Sequence, residues 1–392
     1  MEPSAAQHGG LFEAFKVVAN VLATPWLSFS LAAGVLLLML RFRRVVFNWR
    51  VGAFVLLVEA LVIGFGMKDP NFALIVGKPD NVPITAMLFV STFTLWLAMT
   101  QAVNNERRAD EKLPPDEKES SNQKTWVWPD LLYIEFIALI ICSVVLILWA
   151  IYLRAPLEEP ANPTATPNPS KAPWYFLGLQ EMLVYYDPWY AGVVLPTIII
   201  IGLCAIPYID INPKGNGYFT FSERRMAITM FLFGYLALWV FMIITGTFLR
   251  GPGWNFFGPF EYWDPHKVVA LNNVNLSDYV WIVWLKKGLP QVNNIVPQLI
   301  PPNWQSIGLF LHEAGQACKR EFAGLLFLAF YFLAMPGILA KTLLKKFYQQ
   351  MDFVRYSVLA LLMLTMFTLP LKMVLRWTVN LKYFVDTPWI KF

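Results

Sequence analysis

Apolar residues run through the chain in eight blocks, separated by intervals where charge or proline collects. The blocks cover approximately residues 24–41, 50–67, 83–102, 130–152, 190–208, 226–248, 322–341 and 355–376. A hydrocarbon core of ~30 Å takes about 20 apolar residues of helix to cross. Within lipid, an apolar helix satisfies every backbone group inside one segment. The pattern therefore predicts an all-α polytopic membrane protein with about eight transmembrane helices.

Composition agrees. The 392 residues are 57% hydrophobic and only 15% charged, too little charge to cover a soluble surface of this size. The 16 Trp, 31 Phe and 15 Tyr suit aromatic belts at two membrane interfaces. Polar residues precede a late first apolar block, so no cleavable leader is expected. The net charge of +5 is small and its basic residues flank the blocks, which points to topology and away from nucleic acid. Three cysteines are too few for a disulfide framework or a zinc site. Cys142 and Cys204 fall in apolar blocks, where a thiol serves as a small hydrophobe, and Cys318 stands beside Lys319 and Arg320.

Charge sets the orientation. The intervals 41–50, 104–124, 210–225 and 341–355 hold just over half of the 31 Lys and Arg, and alternation puts all four on one side. Basic loops stay in the cytoplasm. Both termini, the 155–190 loop and the long 250–321 segment then face the periplasmic, positive side of a bacterial inner membrane. The 104–125 interval is charged, contains Pro114-Pro115 and has few groups to bury, so it reads as a linker. It divides an N-terminal three-helix unit (1–103) from the domain 126–250. An aromatic-rich periplasmic segment (251–321) and two C-terminal membrane helices (322–392) follow.

Five prolines stand between residues 160 and 173, just ahead of the run WYFLGLQEML. Proline lacks an N–H and fixes φ, which lowers the cost of burying non-helical backbone near the membrane. Ser170 is a candidate N-cap with Pro173 in the first turn, so that 172–183 forms a short interfacial helix. Pro173, Trp174, Tyr175, Phe176 and Leu177 would then offer an apolar pocket wall. A plain interfacial loop with aromatic anchors would read the same way.

From Trp126 the chain resembles the C-terminal half of cytochrome b, or subunit IV of cytochrome b6f. The stretches that carry the likeness are WPDLLYIEFIALI, LEEPANPTATPNPSKAPWYFLGLQEML, GVVLPTIIIIGLCAIPYIDINP and FTFSERRMAITMFLFGYLALWV, over about residues 126–250. The resemblance implies a membrane subunit of a quinol:cytochrome c oxidoreductase with a quinol-oxidation site in the 155–190 loop. It implies a dihaem cytochrome b6-like partner, a Rieske iron–sulfur protein, a c-type cytochrome acceptor and a dimeric complex. The family's Pro-Glu-Trp-Tyr motif corresponds here to Ala172-Pro173-Trp174-Tyr175. The glutamate that helps take a proton from quinol is thus replaced by Pro173.

The family's haem ligands are paired histidines in its other half. This chain has only His8, His266 and His312, and no span carries a suitable pair. Haem b and the iron–sulfur cluster are therefore expected on partner subunits, with quinone as substrate and no metal held by this chain. His266 and His312 read as surface or subunit-contact residues.

Two carboxylate sets are candidates for proton work. Glu181 lies about 80° round a helix from Pro173 and about 12 Å along its axis, so it could serve the same cavity only from another side. Tyr175 could hydrogen-bond a quinone oxygen. On the cytoplasmic side, Glu135 falls inside an apolar block and is a candidate for proton delivery to a second, quinone-reducing pocket, with an ion pair to the partner as the structural alternative. Asp130 reads as a helix N-terminal carboxylate. Two other readings compete: a non-catalytic scaffold whose pocket has degenerated, and a transporter, which would show inverted repeats.

Overall fold

The computed structural model describes residues 10–121, 124–155, 157, 160–212, 218–269, 272–290 and 305–392. His8 and part of the 251–321 segment lie outside them. The protein is an all-α polytopic membrane protein. Among the described residues seven helices are long and apolar enough to cross a bilayer, or eight if a bent N-terminal pair makes one span. That pair is α1 (Gly10–Leu22) and α2 (Pro25–Arg41), bent by 83° where Thr24 meets Pro25. Proline cannot continue a helix from the residue before it, but it starts one well. α3 (Trp49–Gly66), the short α4 (Pro70–Val76) and α5 (Val82–Asp110) complete the N-terminal group. α6 (Asp116–Ser120), α7 (Val127–Tyr152), α8 (Trp174–Met182), α9 (Tyr190–Ile209) and α10 (Arg225–Leu249) follow. Then come α11 (Gln305–Arg320), α12 (Phe322–Lys341) and α13 (Phe353–Val379).

The chain packs as two units, and these cut across the sequence segments. The first takes residues 1–178 and 214–268, and the second takes 179–213 and 269–392. In the first unit, α2, α3 and α5 share one hydrophobic core with the start of the α10 region. Leu36, Leu40, Phe47, Trp96 and Val103 cluster there with Phe221, Leu232 and Ala237.

The charged interval 104–121 is ordered, not a loose tether. α5 continues through Asp110, because its last turns carry a buried polar clamp. Glu106 is only 3% exposed. It accepts two hydrogen bonds from Arg43 Nε at 3.1 Å each, a further contact from the same guanidinium at 3.0 Å, and one from the Ser222 backbone N–H at 3.0 Å. Asn105 donates to Glu117 at 2.7 Å and to the Phe219 carbonyl at 2.9 Å. Arg108 pairs with Glu119. The charges that appeared able only to solvate the interval instead pair with each other and with the 219–222 loop.

In the second unit, the C-terminal strand β2 (Leu381–Tyr383) pairs in parallel with β1 (Val274–Asn275). The tail then folds over the end of α13. Lys372, near the end of α13, is 1% exposed. Its ammonium stands 4.3 Å from the Tyr186 ring centre and 4.8 Å from that of Phe392, a cation–π enclosure. The Tyr186 hydroxyl shares a 2.6 Å hydrogen bond with Thr368, and burial pushes this phenol above its ordinary range.

Candidate functional site

The proline hairpin leads directly into α8. The helix begins at Trp174, three residues later than a Ser170 cap would place its first turn. Pro173 is the reason: its ring holds Ala172 extended, so helical geometry cannot start earlier. The Pro173 carbonyl accepts from Phe176 N–H at 2.9 Å and serves as the first turn's acceptor. Upstream, Asn162 folds its own turn by accepting from the N–H and hydroxyl of Thr164 at 2.9 and 2.7 Å. Asn168 Oδ1 accepts from Gly253 N–H at 2.7 Å, and Lys171 donates to the Thr247 carbonyl at 2.7 Å while lying 4.5 Å over the Trp263 ring. These bonds fasten the hairpin to α10 and the loop after it.

α8 lies close on α10 because of Gly246. A Cβ there would stand 3.0 Å from Leu177 Cγ, tighter than ordinary contact. Leu177 is consequently 2% exposed.

On its other side the hairpin borders a cavity of about 720 Å³. Pro167, Pro169, Pro173, Trp174 and Leu177 form one wall. The opposite wall comes from α4 and the turn that follows it, including Asn71, Ile75, Lys78, Asp80 and Asn81, and Glu261–Trp263 close the cavity. Each wall is held by identifiable bonds. Asp69 caps α4, accepting from Asn71 and Phe72 N–H at 2.9 and 3.1 Å, and pairs with Lys16 at 3.1 Å. Phe72 stacks on Phe260 with ring centres 4.9 Å apart. Asn20 Oδ1 accepts from Phe260 N–H at 3.0 Å, and Gly258 lets it approach, since a Cβ would fall 2.5 Å from that oxygen.

Of the expected wall residues, Pro173, Trp174 and Leu177 line this cavity, while Tyr175 and Phe176 do not. At 100° per residue, positions 174 and 177 fall on one face of α8 and 175 and 176 on another. Four consecutive helical residues cannot share one wall. Tyr175 and Phe176 are 50% and 53% exposed, with ring centres 4.7 Å apart. Glu181 is 1% exposed, near the end of α8, and is not among the lining residues.

α7 carries Asp130 in its first turn and Glu135 two turns in. None of the residues of this span is buried by the rest of the chain. Asp130 and Glu135 are both exposed. His266 is exposed, its N–H bonded to Asp264 at 2.8 Å, and no three His, Cys, Asp or Glu side chains gather among the described residues. One membrane carboxylate was missed from sequence: Glu59, midway along α3, is bonded to Thr92 of α5, with Oε2 buried and unpartnered among the described residues. Its place inside an apolar block is the signal that could have found it.

Comparison with known families finds a match that includes the hairpin. Residues 160–250 match the model of the cytochrome b(C-terminal)/b6/petD family. The match supports a cytochrome b C-terminal-type subunit and covers just under a quarter of the chain. The match starts at the hairpin's first proline and ends where α10 ends, so it takes in α8, α9 and α10. It supports a membrane subunit of a bc/b6f-type complex, within an electron-transporting quinol:cytochrome oxidoreductase assembly in which haem sits on partner subunits. The N-terminal helices and α11 to α13 lie outside the match. No solved structure matches the chain.

Proposed function

We propose that this subunit forms the positive-side quinol-oxidation site of a bc-type complex together with a dihaem cytochrome b6-like partner. One electron goes to a Rieske iron–sulfur protein, the other through the partner's haems, and a c-type cytochrome is the final acceptor. The observation that carries this reading is the cavity with an apolar wall of Pro167, Pro169, Pro173, Trp174 and Leu177, a wall that lies within the stretch matching the family. Its volume, about 720 Å³, lies in the range of small-molecule sites. Tyr175 and Phe176, on the uncovered face of α8, meet the partner, and the Tyr175 hydroxyl is a donor for a quinone oxygen at that boundary.

Replacing Trp174 with Ala removes the largest side chain from one wall of the cavity. The quinol KM of the purified complex should rise about tenfold, corresponding to ~1.4 kcal/mol of lost contact. Steady-state quinol:cytochrome c turnover at constant haem content measures this, and an unchanged KM would argue for the scaffold reading instead.

α7 supports the partner assignment. A span with every residue uncovered inside its own chain needs lipid or another subunit around it, and Glu135 needs a polar neighbour at membrane depth. We assign that face to the cytochrome b6-like subunit, with Glu135 delivering protons to the negative-side quinone pocket and Asp130 favouring the start of the helix. Glu135→Gln should slow reduction of quinone at that site by about tenfold or more. Unchanged turnover would leave Glu135 as an ion-pair partner only. The distribution of basic residues supports a bacterial inner-membrane location with periplasmic termini, and the family resemblance supports a dimeric complex.

A further inference from the structure

We propose that Asp80, from the turn between α4 and α5, is the base that takes a proton from hydroquinone in the hairpin cavity. The inference rests on the quinol reading above and names the acceptor that reading lacks. Oxidation of one hydroquinone to quinone releases two electrons and two protons. The electrons leave singly to the iron–sulfur cluster and haem of partner subunits. The protons need an acceptor at the hydroxyls, and a proline side chain at position 173 offers none.

Two carboxylates line the cavity, Asp80 and Glu261. Glu261 is committed to its own turn: Oε2 accepts from Gly258 N–H at 3.0 Å, and its N–H returns a 3.1 Å bond to the Gly258 carbonyl. Asp80 is placed differently. It also lines a second cavity of about 480 Å³, beside Pro79, Trp149 and Leu153, and is the one residue common to the two linings. Its side chain is 48% exposed, so it touches the pocket while remaining open to water. Its ion pair with Lys78, at 2.9 Å, is half-exposed and therefore cheap to break when the carboxylate takes a proton. The other charged or titratable groups around the cavity are Lys171, Glu261 and Tyr262, and Lys171 is held by the Thr247 carbonyl. Glu181, outside the lining and 1% exposed, has no comparable route to water.

In the step, a quinol O–H bond breaks and its proton passes to an Asp80 carboxylate oxygen as the first electron goes to the iron–sulfur cluster. The carboxyl group then releases that proton to water at the cavity mouth, which restores the carboxylate to take the second O–H proton as the second electron passes to the partner's haem and quinone forms. The N-terminal helices thereby acquire a chemical role: they supply the group missing from the matched stretch.

The test uses the assembled complex. Asp80→Asn should lower kcat about 100-fold at pH 7, within the usual range for loss of a general base, with quinol KM within about twofold and haem content unchanged. Solution base substitutes progressively, so the variant's rate should climb between pH 7 and 9 while the native enzyme changes little. Asp80→Glu should recover a tenth or more of the native rate. A purely structural defect would show neither the climb nor the recovery. The proposal is overturned if D80N keeps more than half of the native kcat, or if the pH-rescued loss appears in Glu181→Gln or Glu261→Gln instead. The two readings fail separately. An unchanged quinol KM in W174A removes the cavity as the quinol site, and this proposal with it. A raised KM in W174A beside an unaffected D80N overturns Asp80 alone.

Discussion

Alanine at Glu106 should destabilise the first unit by about 3–5 kcal/mol, the usual cost of stripping one partner from a buried ion pair. Arg43, with its side chain 15% exposed, would keep its charge with the carboxylate gone, and the Ser222 N–H would lose its acceptor. Arg43 also lies 4.6 Å over the Phe221 ring, so the guanidinium cannot simply swing into water without uncovering the core beneath. Thermal melting of the detergent-solubilised protein by helical circular dichroism reads this out. Glu106→Gln should lose less, since it keeps the shape and one acceptor. A double replacement of Arg43 and Glu106 by Met and Leu should recover part of the loss, because no unpaired charge then remains. A shift below about 1 kcal/mol for E106A would mean that the clamp is ornamental and that the core around Trp96 orders the 104–121 interval unaided.

A branched side chain at Gly246 should have a large effect on turnover. Gly246→Val would collide with Leu177, whose Cγ would lie 3.0 Å from the new Cβ before the branches are added. The overpacking strain of about 1–3 kcal/mol is most easily relieved by lifting α8 away from α10. That shift carries Trp174 and Pro173 with it and reshapes the cavity wall. A displacement on the order of 1 Å at a positioned substrate can cost about 100-fold in rate. G246V should therefore assemble with normal haem content and lose about 100-fold in quinol:cytochrome c turnover. Gly246→Ala, with a single methyl against a flexible leucine, should lose far less. Full activity in G246V would show that contact of α8 with α10 does not set the pocket.

The membrane spans were legible because their signal is local. About twenty apolar residues are both the cause and the sign of a crossing, so the block read at 322–341 coincides with α12 and the block at 190–208 differs from α9 by one residue. The bend between α1 and α2 was half-legible: Pro25 marks it, but nothing in the sequence gives an angle. The hairpin was legible as a family motif with two of its four residues changed, Ala172 and Pro173. Which of its residues face a cavity was not, since that depends on the phase at which α8 starts, and Pro173 sets it one turn later than a Ser170 cap would.

What only the tertiary structure decided lies in contacts far apart along the chain. Lys372 of α13 is enclosed only because the tail lays Phe384 and Phe392 over it. The charged run 104–121 looks unable to fold until Arg43 and the Ser222 backbone give Glu106 its partners. Asp80 and Pro173 stand more than ninety residues apart, yet they line one cavity, because the Asp69 cap and the Phe72–Phe260 stack hold α4 and its turn opposite the hairpin. The sequence by itself determined that the chain spans a membrane, where it crosses, and that it carries a cytochrome b-like proline hairpin. Hydrophobic length and proline stereochemistry act within a few turns of backbone. The composition of the pocket was decided only on folding, because a cavity belongs to whichever distant side chains packing brings to its edge.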